Sequence, residues 1–127
     1  MKKKMFLLFS HALNTAQKGD AKTSLGVEEF VALPEELQAL WSNVPAELES
    51  LREYLAPLKA YIIATASKED VFLIQGDFVA CYAMLNFVKE LGYEAVASTT
   101  KRNAKEEEKD GKIVKTSVFE HVRFRRY

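Results

Sequence analysis

The chain alternates between short, continuous apolar runs and stretches in which apolar residues recur every three or four positions. The first pattern predicts strands that are covered on both faces, and the second predicts amphipathic helices. The predicted strands are residues 5–9, 27–33, 71–74, 95–99 and 112–127, and the predicted helices are residues 14–25, 34–41, 47–66 and 77–91. This order predicts an α/β fold: a single Rossmann-like domain over residues 1–127, with a mostly parallel sheet and an antiparallel C-terminal addition.

Four segments need further comment. Pro57 should kink or split the helix at 47–66. Residues 61–66 are rich in β-branched side chains and fit a helix or a strand, with the helix favoured. Apolar residues surround most of the helix at 77–91, which predicts that it is largely buried. The charged residues 101–112 are expected to form a solvated loop or helix end.

Composition and charge narrow the functional classes. The chain is 48% hydrophobic and 28% charged, which is ordinary for a globular protein. It has 18 basic and 18 acidic side chains, so global charge does not favour a polyanion or a membrane surface as partner. The longest apolar stretch is far shorter than the roughly 20 residues of a membrane span, and residues 5–9 are too short for a signal peptide. A single cysteine, Cys81, fits a reducing cytoplasm, so we expect a cytoplasmic protein.

Polar clusters follow three of the predicted strands, at residues 10–11, 75–77 and 98–102. In an open α/β sheet the ligand crevice lies outside the carboxyl ends of the strands. If these strands are parallel, the three clusters converge on one site. The candidate ligand-binding residues are Ser10, Gln75, Gly76, Asp77, Thr99 and Thr100, and the candidate catalytic residues in the clusters are His11 and Arg102.

The side chains in these clusters suit a phosphate ligand. Hydroxyl groups can hold phosphate oxygens, Arg102 can bind them bidentately, and His11 can act as an acid or base near neutral pH. Gly76 lets the backbone approach a ligand, and the free amides of the following helix attract anions. Asp77 would repel a phosphate, so we expect it to cap the helix or to orient a ribose hydroxyl. In the alternative interpretation, residues 10–11 simply start a helix and residues 99–102 form an ordinary basic turn.

The C-terminal run alternates strongly. Strict alternation would place Val118, Val122 and Phe124 on one side of the strand, and Phe119, His121, Arg123, Arg125 and Tyr127 on the other. The second side is cationic and aromatic, which suits phosphates and stacked bases. An exposed edge strand protected by its charges is the alternative interpretation.

No metal site and no cofactor are expected. The two histidines and the single cysteine are far apart and lack the spacing of metal ligands. Cys81 lies in an apolar helical segment, where packing is more common than nucleophilic chemistry.

Five segments in this order resemble one protein family. They are FLLFSH at 6–11, LPEELQ at 33–38 with Trp41 and Pro45 after it, LIQGDF at 73–78, STTKR at 98–102 and FEHVRFR at 119–125. The set resembles the CRISPR-associated Csx-twenty family, small accessory proteins of type III CRISPR loci. Val79 departs from the small residue expected there.

This resemblance implies a Rossmann-like protein related to the CARF-type binders of cyclic oligoadenylate. It implies a ring nuclease, an enzyme that opens cyclic tetra-adenylate and so ends the antiviral signal. It also implies a homodimer, which suits a ligand with two-fold symmetry. Neither a membrane nor a long nucleic acid is required as a partner.

The expected mechanism is attack by a ribose 2′-hydroxyl on the adjacent phosphorus, without a metal ion. The protein would hold this hydroxyl in line with the departing oxygen. Arg102 would stabilise the charge on phosphorus. His11 is the first candidate for general acid or base, and His121 is the second. The expected supporting residues are Ser10 and Thr100 as hydrogen-bond donors, Gln75 and Asp77 for ribose or adenine, and Arg125 closing over the ring.

Three other functions fit the same residues. A non-catalytic sensor or sponge would bind the cyclic nucleotide without producing a linear product. An interaction module would use the basic terminal strand to contact RNA or a protein, with a strong salt dependence for long RNA. A small enzyme acting on another nucleotide is the third, because a fold does not determine a substrate.

Overall fold

A computed structural model describes residues 2–127 and places them in an α/β arrangement. The elements are β1 Lys4–Leu8, α1 Thr15–Leu25, β2 Glu29–Ala32, α2 Glu35–Ser42, α3 Ala56–Thr65, β3 Val71–Ile74, α4 Phe78–Glu90, β4 Glu94–Lys109 and β5 Lys112–Arg126. Their order is the predicted one, and the α/β class is confirmed.

The five strands form one mixed sheet in the order β2-β1-β3-β4-β5. Strand β1 pairs in parallel with β2 and β3, and β3 pairs in parallel with β4. Strand β5 is antiparallel to β4. Both parts of the sheet prediction are therefore confirmed. Strands β1, β2 and β3 end at one edge, which we call the carboxyl edge, and β4 continues past it to Lys109.

Helices cover both faces of the sheet. On one face Ala21 of α1 packs with Met5, Val71 and Val96. On the other face α2, α3 and α4 pack over a larger cluster that includes Trp41, Leu58, Ile62 and Met84. The central strand β3 contributes to both clusters, and its four residues are buried, as its continuous apolar run predicts.

Both ends of α1 follow their sequence signals. The Asn14 side chain accepts a hydrogen bond from the backbone N–H of Gln17, and the Gln17 side chain accepts one from that of Asn14. This capping box satisfies amides that have no partner inside the helix. Gly26 ends α1 with φ 70°, a left-handed conformation that favours glycine.

The predicted helix at 47–66 is too long, because α3 begins only at Ala56. Pro57 starts this helix and does not kink it. A proline ring fits the first turn, where its missing N–H removes no helical hydrogen bond. The favoured helical interpretation of residues 61–66 is confirmed, since α3 continues to Thr65.

Helix α4 is less buried than predicted. Its buried residues are Ala80, Met84 and Val88, which form a single stripe. Phe78 is 92% exposed and Tyr82 is 70% exposed. Apolar residues around this helix therefore do not all reach the core of the chain, and one apolar face remains on the surface.

The prediction of a charged loop or helix end at 101–112 is wrong, although the segment is solvent-exposed. Strands β4 and β5 stay paired up to Lys109 and Lys112. Asp110 and Gly111 connect them with φ values of 52° and 76°. Positive φ at both central residues is typical of a two-residue hairpin turn with Asp-Gly. We call residues 101–120 the hairpin arm, because they extend beyond the carboxyl edge.

No helix among residues 2–127 is long and apolar enough to cross a membrane.

Candidate functional site

The carboxyl edge is held together by hydrogen bonds between the strand ends. The backbone N–H of Gln75 donates to the carbonyl oxygen of Leu8 at 3.0 Å. The Oε1 atom of Gln75 accepts a bond from the backbone N–H of Ser98 at 2.7 Å. The clusters at 10–11 and 75–77 therefore follow strands that end side by side, while Ser98 lies next to them inside β4, which continues to Lys109.

A cavity of about 390 Å³ opens at this edge beside β1 and β2. Ser10 and the exposed His11 line it, together with Lys18 of α1. The Ser10 hydroxyl accepts a hydrogen bond from the Ser42 hydroxyl at 3.0 Å, and the His11 ring lies edge-on to Phe9, with 5.5 Å between the ring centroids. The cavity thus combines an apolar wall with an imidazole, a hydroxyl and an ammonium group.

The Gln75-Gly76-Asp77 turn has clear structural roles. An ideal Cβ atom on Gly76 would lie 3.1 Å from Nε1 of Trp41, so packing against the indole favours a glycine. The Oδ2 atom of Asp77 accepts a bond from the backbone N–H of Ala80 at 2.9 Å. The predicted helix cap is therefore confirmed, while ligand contacts by Gly76 and Asp77 stay predictions.

The predicted cluster at 98–102 lies within β4, where this strand leaves the sheet and enters the hairpin arm. The Thr99 hydroxyl donates to the carbonyl oxygen of Arg123 at 2.9 Å, and Thr100 is exposed. Nε and Nη2 of Arg102 donate to the Ser117 hydroxyl at 3.1 and 2.9 Å. Arg102 lies in the hairpin arm, four residues and about 13 Å beyond residue 98 at the strand rise of 3.3 Å. The guanidinium of Arg102 therefore lies on the hairpin arm, beyond the carboxyl edge.

The C-terminal strand does not alternate throughout as predicted, because the pattern is interrupted at one position. The β4–β5 register shifts between Thr99 and Thr100, and Val122 is the extra residue on β5. Such a bulge reverses the faces of all side chains on one side of it. His121 consequently faces the same side as Phe124, with 4.7 Å between the ring centroids. It does not share a face with Arg123 and Arg125, although the sequence predicted that it would.

The inward-facing imidazole completes a hydrogen-bonded array that the sequence did not reveal. His121 Nδ1 lies 2.6 Å from the Ser98 hydroxyl, and His121 Nε2 lies 2.7 Å from Oδ2 of Asp20. Gln17 Nε2 donates to the Ser98 hydroxyl at 3.2 Å. The His121 side chain is only 3% exposed. The hydrogen bonds from Ser24 and then from His121 lower the pKa of Asp20.

The array was missed because its members come from distant parts of the chain. Gln17 and Asp20 lie in α1, about one hundred residues before His121 along the sequence. Their spacing of three residues, which puts two side chains on one helix face, is the only sequence signal, and many helices contain such pairs. Lys18 at the cavity was missed for a similar reason.

The two candidate histidines are not close together. His11 follows β1 and His121 lies on β5, which are separated by β3 and β4. Three strand intervals amount to about 14 Å. The two rings therefore cannot serve the same atom within one subunit. Arg125, adjacent to the inward-facing Phe124, is exposed on the opposite face of the sheet.

Among residues 2–127 no group of three or more His, Cys, Asp or Glu residues could hold a metal ion. Cys81 packs against the larger core cluster, and its burial raises the pKa of its thiol. A thiol that resists ionisation is a poor nucleophile, which agrees with the predicted packing role.

Comparison with known proteins gives a clear relationship. No solved structure matches the chain. A protein of Methanocaldococcus jannaschii described as "Uncharacterized protein MJ1673" is 49% identical over 124 residues, which cover 98% of this chain and 96% of that protein. The matched region includes the strands, the carboxyl edge and nearly all of β5. The chain belongs to the family described as the Uncharacterized protein MJ1673 family, whose sequence pattern matches residues 3–125.

Proposed function

We propose that this protein is a cytoplasmic ring nuclease of type III CRISPR systems that opens cyclic oligoadenylate, with cyclic tetra-adenylate as its first candidate substrate. A ribose 2′-hydroxyl would attack the adjacent phosphorus without a metal ion and leave a linear product. The observation that carries the proposal is that phosphate-compatible residues at 10–11, 75–77 and Ser98 meet along one carboxyl edge, with Arg102 on the arm beyond it. The resemblance to the Csx-twenty family supplies the substrate class.

The dimensions of the edge suit a ligand larger than a mononucleotide. The cavity lies beside β1 and β2, and the Gln75 and Ser98 side chains lie two strands further along the sheet. From β2 to β4 there are three strand intervals, which is about 14 Å. A ring of several nucleotides can span that distance and present more than one phosphate and base to the edge.

The polar groups along the edge would have separate tasks. The Gln75 amide oxygen is engaged by Ser98, so its NH₂ group is oriented to donate to a phosphate or an adenine. Ser10 would donate to a phosphate oxygen. His11 would stand over a base or act as acid or base from the cavity wall. These tasks require only bond angles and hydrogen bonds that the edge already provides.

The hairpin arm would close over the bound ring. An isolated two-stranded ribbon is at best marginally stable, so contact with a ligand or a second subunit would stabilise it. Closure would bring Arg102 from Ser117 to a phosphate, where its guanidinium stabilises developing negative charge. Thr99 and Thr100 lie at the base of the arm, and Arg125 would contact the ring from the other face.

The proposed homodimer would form through α4. Its first turns expose Phe78, Val79 and Tyr82, and Val79 is 61% exposed. A contiguous apolar surface of this kind is typical of a protein interface. Because α4 begins directly at the carboxyl edge, a two-fold contact there would bring two edges together. Size-exclusion chromatography with light scattering should give a dimer for the wild type and a monomer for Phe78→Glu.

The direct test is to incubate the purified chain with cyclic tetra-adenylate in a chelator and to identify the products by chromatography and mass. We expect linear oligoadenylate with a 2′,3′-cyclic phosphate end. Arg102→Ala should reduce turnover more than tenfold. The matched control is Arg126→Ala, because Arg126 is an exposed arginine of β5 that pairs with Glu94 at the opposite edge of the sheet.

The same experiment separates the alternative functions. Intact ligand that co-elutes with the protein would contradict the enzymatic proposal and indicate a sensor or sponge. Intact ligand without binding would reject cyclic tetra-adenylate as the substrate. In that case salt-dependent binding of long RNA would indicate an interaction module.

A further inference from the structure

The donors and acceptors of the hydrogen-bonded array at His121 can be traced from its inner end at Asn14. Asn14 donates its backbone N–H to Oε1 of Gln17, so the other end of that amide, Nε2, must be the donor to Ser98. The Ser98 hydroxyl accepts this bond and still has its own proton to donate, for which Nδ1 of His121, 2.6 Å away, is the partner in the array. His121 then carries its proton on Nε2 and donates it to Asp20.

At the outer end of the array, the hydrogen bonds likewise run toward Asp20. The Ser24 hydroxyl donates to Oδ1 of Asp20 at 2.5 Å, so both carboxylate oxygens accept hydrogen bonds. Asp20 is the charged group that faces His121, and the Phe124 ring lies against the other side of the imidazole. Among residues 2–127 no buried side-chain nitrogen or oxygen lacks a partner. The array is thus an ordered hydroxyl–imidazole–carboxylate series.

From this order we infer that Ser98 is a catalytic residue that takes the proton from the attacking ribose 2′-hydroxyl, with His121 as the proton acceptor behind it and Asp20 as a positioning residue. The inference rests on the proposed function. Ser98 lies at the carboxyl edge, and it is 9% exposed. After bonding to Gln17 and His121, its oxygen has one lone pair left, which can accept a hydrogen bond from a hydroxyl group.

The proton transfer can be written in full. The 2′-hydroxyl gives its proton to the Ser98 oxygen while Ser98 gives its own to Nδ1 of His121. The bond between the 2′-oxygen and phosphorus forms as the bond between phosphorus and the 5′-oxygen breaks. The 5′-oxygen takes a proton from solvent, and His121 later returns one to solvent. The carboxylate of Asp20 stabilises the imidazolium in between, as in serine–histidine–aspartate sites but with the two ring nitrogens exchanged.

Turnover of cyclic tetra-adenylate by a matched pair of variants tests the assignment. Ser98→Ala removes the hydroxyl and should lower kcat by about 10²–10⁴-fold with KM changed less than threefold, the range for loss of general base catalysis. Ser98→Thr keeps a hydroxyl and should retain most of the activity. Asp20→Asn keeps the shape of the carboxylate and should lower kcat more than tenfold. Thermal melting checks that the variants are folded.

A second measurement needs no variant and no turnover. In ¹⁵N-histidine-labelled wild-type protein at neutral pH, the nitrogen shifts of His121 should show a neutral ring with the proton on Nε2. A ring protonated on Nδ1 would overturn the inference, as would an active wild type with Ser98→Ala within threefold of its kcat. A wild type that binds but does not open the ring would instead overturn the proposed function, and with it the role of Ser98.

Discussion

Replacing Gly76 by alanine tests whether this glycine serves packing or ligand approach. The Cβ atom of an alanine would lie 3.1, 3.2 and 3.3 Å from three atoms of the Trp41 indole. Trp41 is only 2% exposed, and its Nε1–H donates to the carbonyl oxygen of Gln75 at 3.1 Å. The indole must therefore shift by a few tenths of an ångström, against a packed core and away from a hydrogen bond.

The expected cost follows from this geometry. Overpacking of a core by one methyl group typically costs about 1–3 kcal/mol. For a chain of 127 residues, the unfolding entropy near the melting point is about 0.27 kcal/mol/K. The Gly76→Ala variant should therefore melt about 4–11 °C below the wild type.

Circular dichroism melting measures this shift, and Trp41 supplies a local signal because the chain contains one tryptophan. Gly19→Ala is the matched control. Gly19 is exposed in α1, and a Cβ atom there would have no neighbour within 4 Å. This control should gain about 0.5–1 kcal/mol, since alanine favours the helix over glycine.

A Gly76→Ala variant that melts within about 1 °C of the wild type, with unchanged tryptophan emission, would refute the packing argument. If that stable variant also lost affinity for cyclic tetra-adenylate, the glycine would be required for ligand approach, as the sequence suggested. Loss of stability with affinity retained would assign Gly76 to packing alone.

Two further predictions concern carboxylates at the edge and in the array. Asp77→Ala should destabilise the chain by about 0.5–2 kcal/mol in urea titrations, because the Ala80 amide loses its cap, whereas Asp77→Asn should stay close to the wild type. Hydrogen bonds from Ser24 and then from His121 lower the pKa of Asp20 from its ordinary value of 3.8. Its stabilising effect is therefore present above about pH 4 and is lost as the pH falls through the lowered pKa. Asp20→Asn should lack this part of the acid dependence, and an unchanged dependence would contradict the assignment.

The parts of the fold that could be predicted depend on local signals. The buried strand Val71–Ile74 is a continuous apolar run, and the Asn14 and Gly26 signals correctly mark the ends of α1. Because parallel strands must share an edge, the convergence of the polar clusters followed from the element order alone. The residues of the edge were therefore accessible to sequence reasoning.

Other features of the structure were not predicted, because the composition or the alternation of the sequence does not show them. Residues 101–112 are so rich in charge that their sequence predicts a solvated loop or helix end, although Asp110-Gly111 is a strong hairpin signal. The extra residue at Val122 has no sequence signature, because alternation continues on each side of the bulge. The exposed Phe78 and Tyr82 show that an apolar helical pattern alone does not distinguish core contacts from an exposed surface.

The bulge at Val122 determines which face of the sheet can carry the chemistry. Without it, His121 would face α4 with Arg123 and Arg125; with it, the imidazole faces α1 and meets Asp20. Alternate residues of β4 share a face, so Ser98 and Arg102 both lie on the α1 side of the sheet. Residues of the cavity wall pack on that side as well, since Phe9 adjoins the core cluster under α1. A ligand on the α1 side of the carboxyl edge would therefore meet the cavity, the proposed base and the arm guanidinium together, and a ligand on the α4 side would meet none of them.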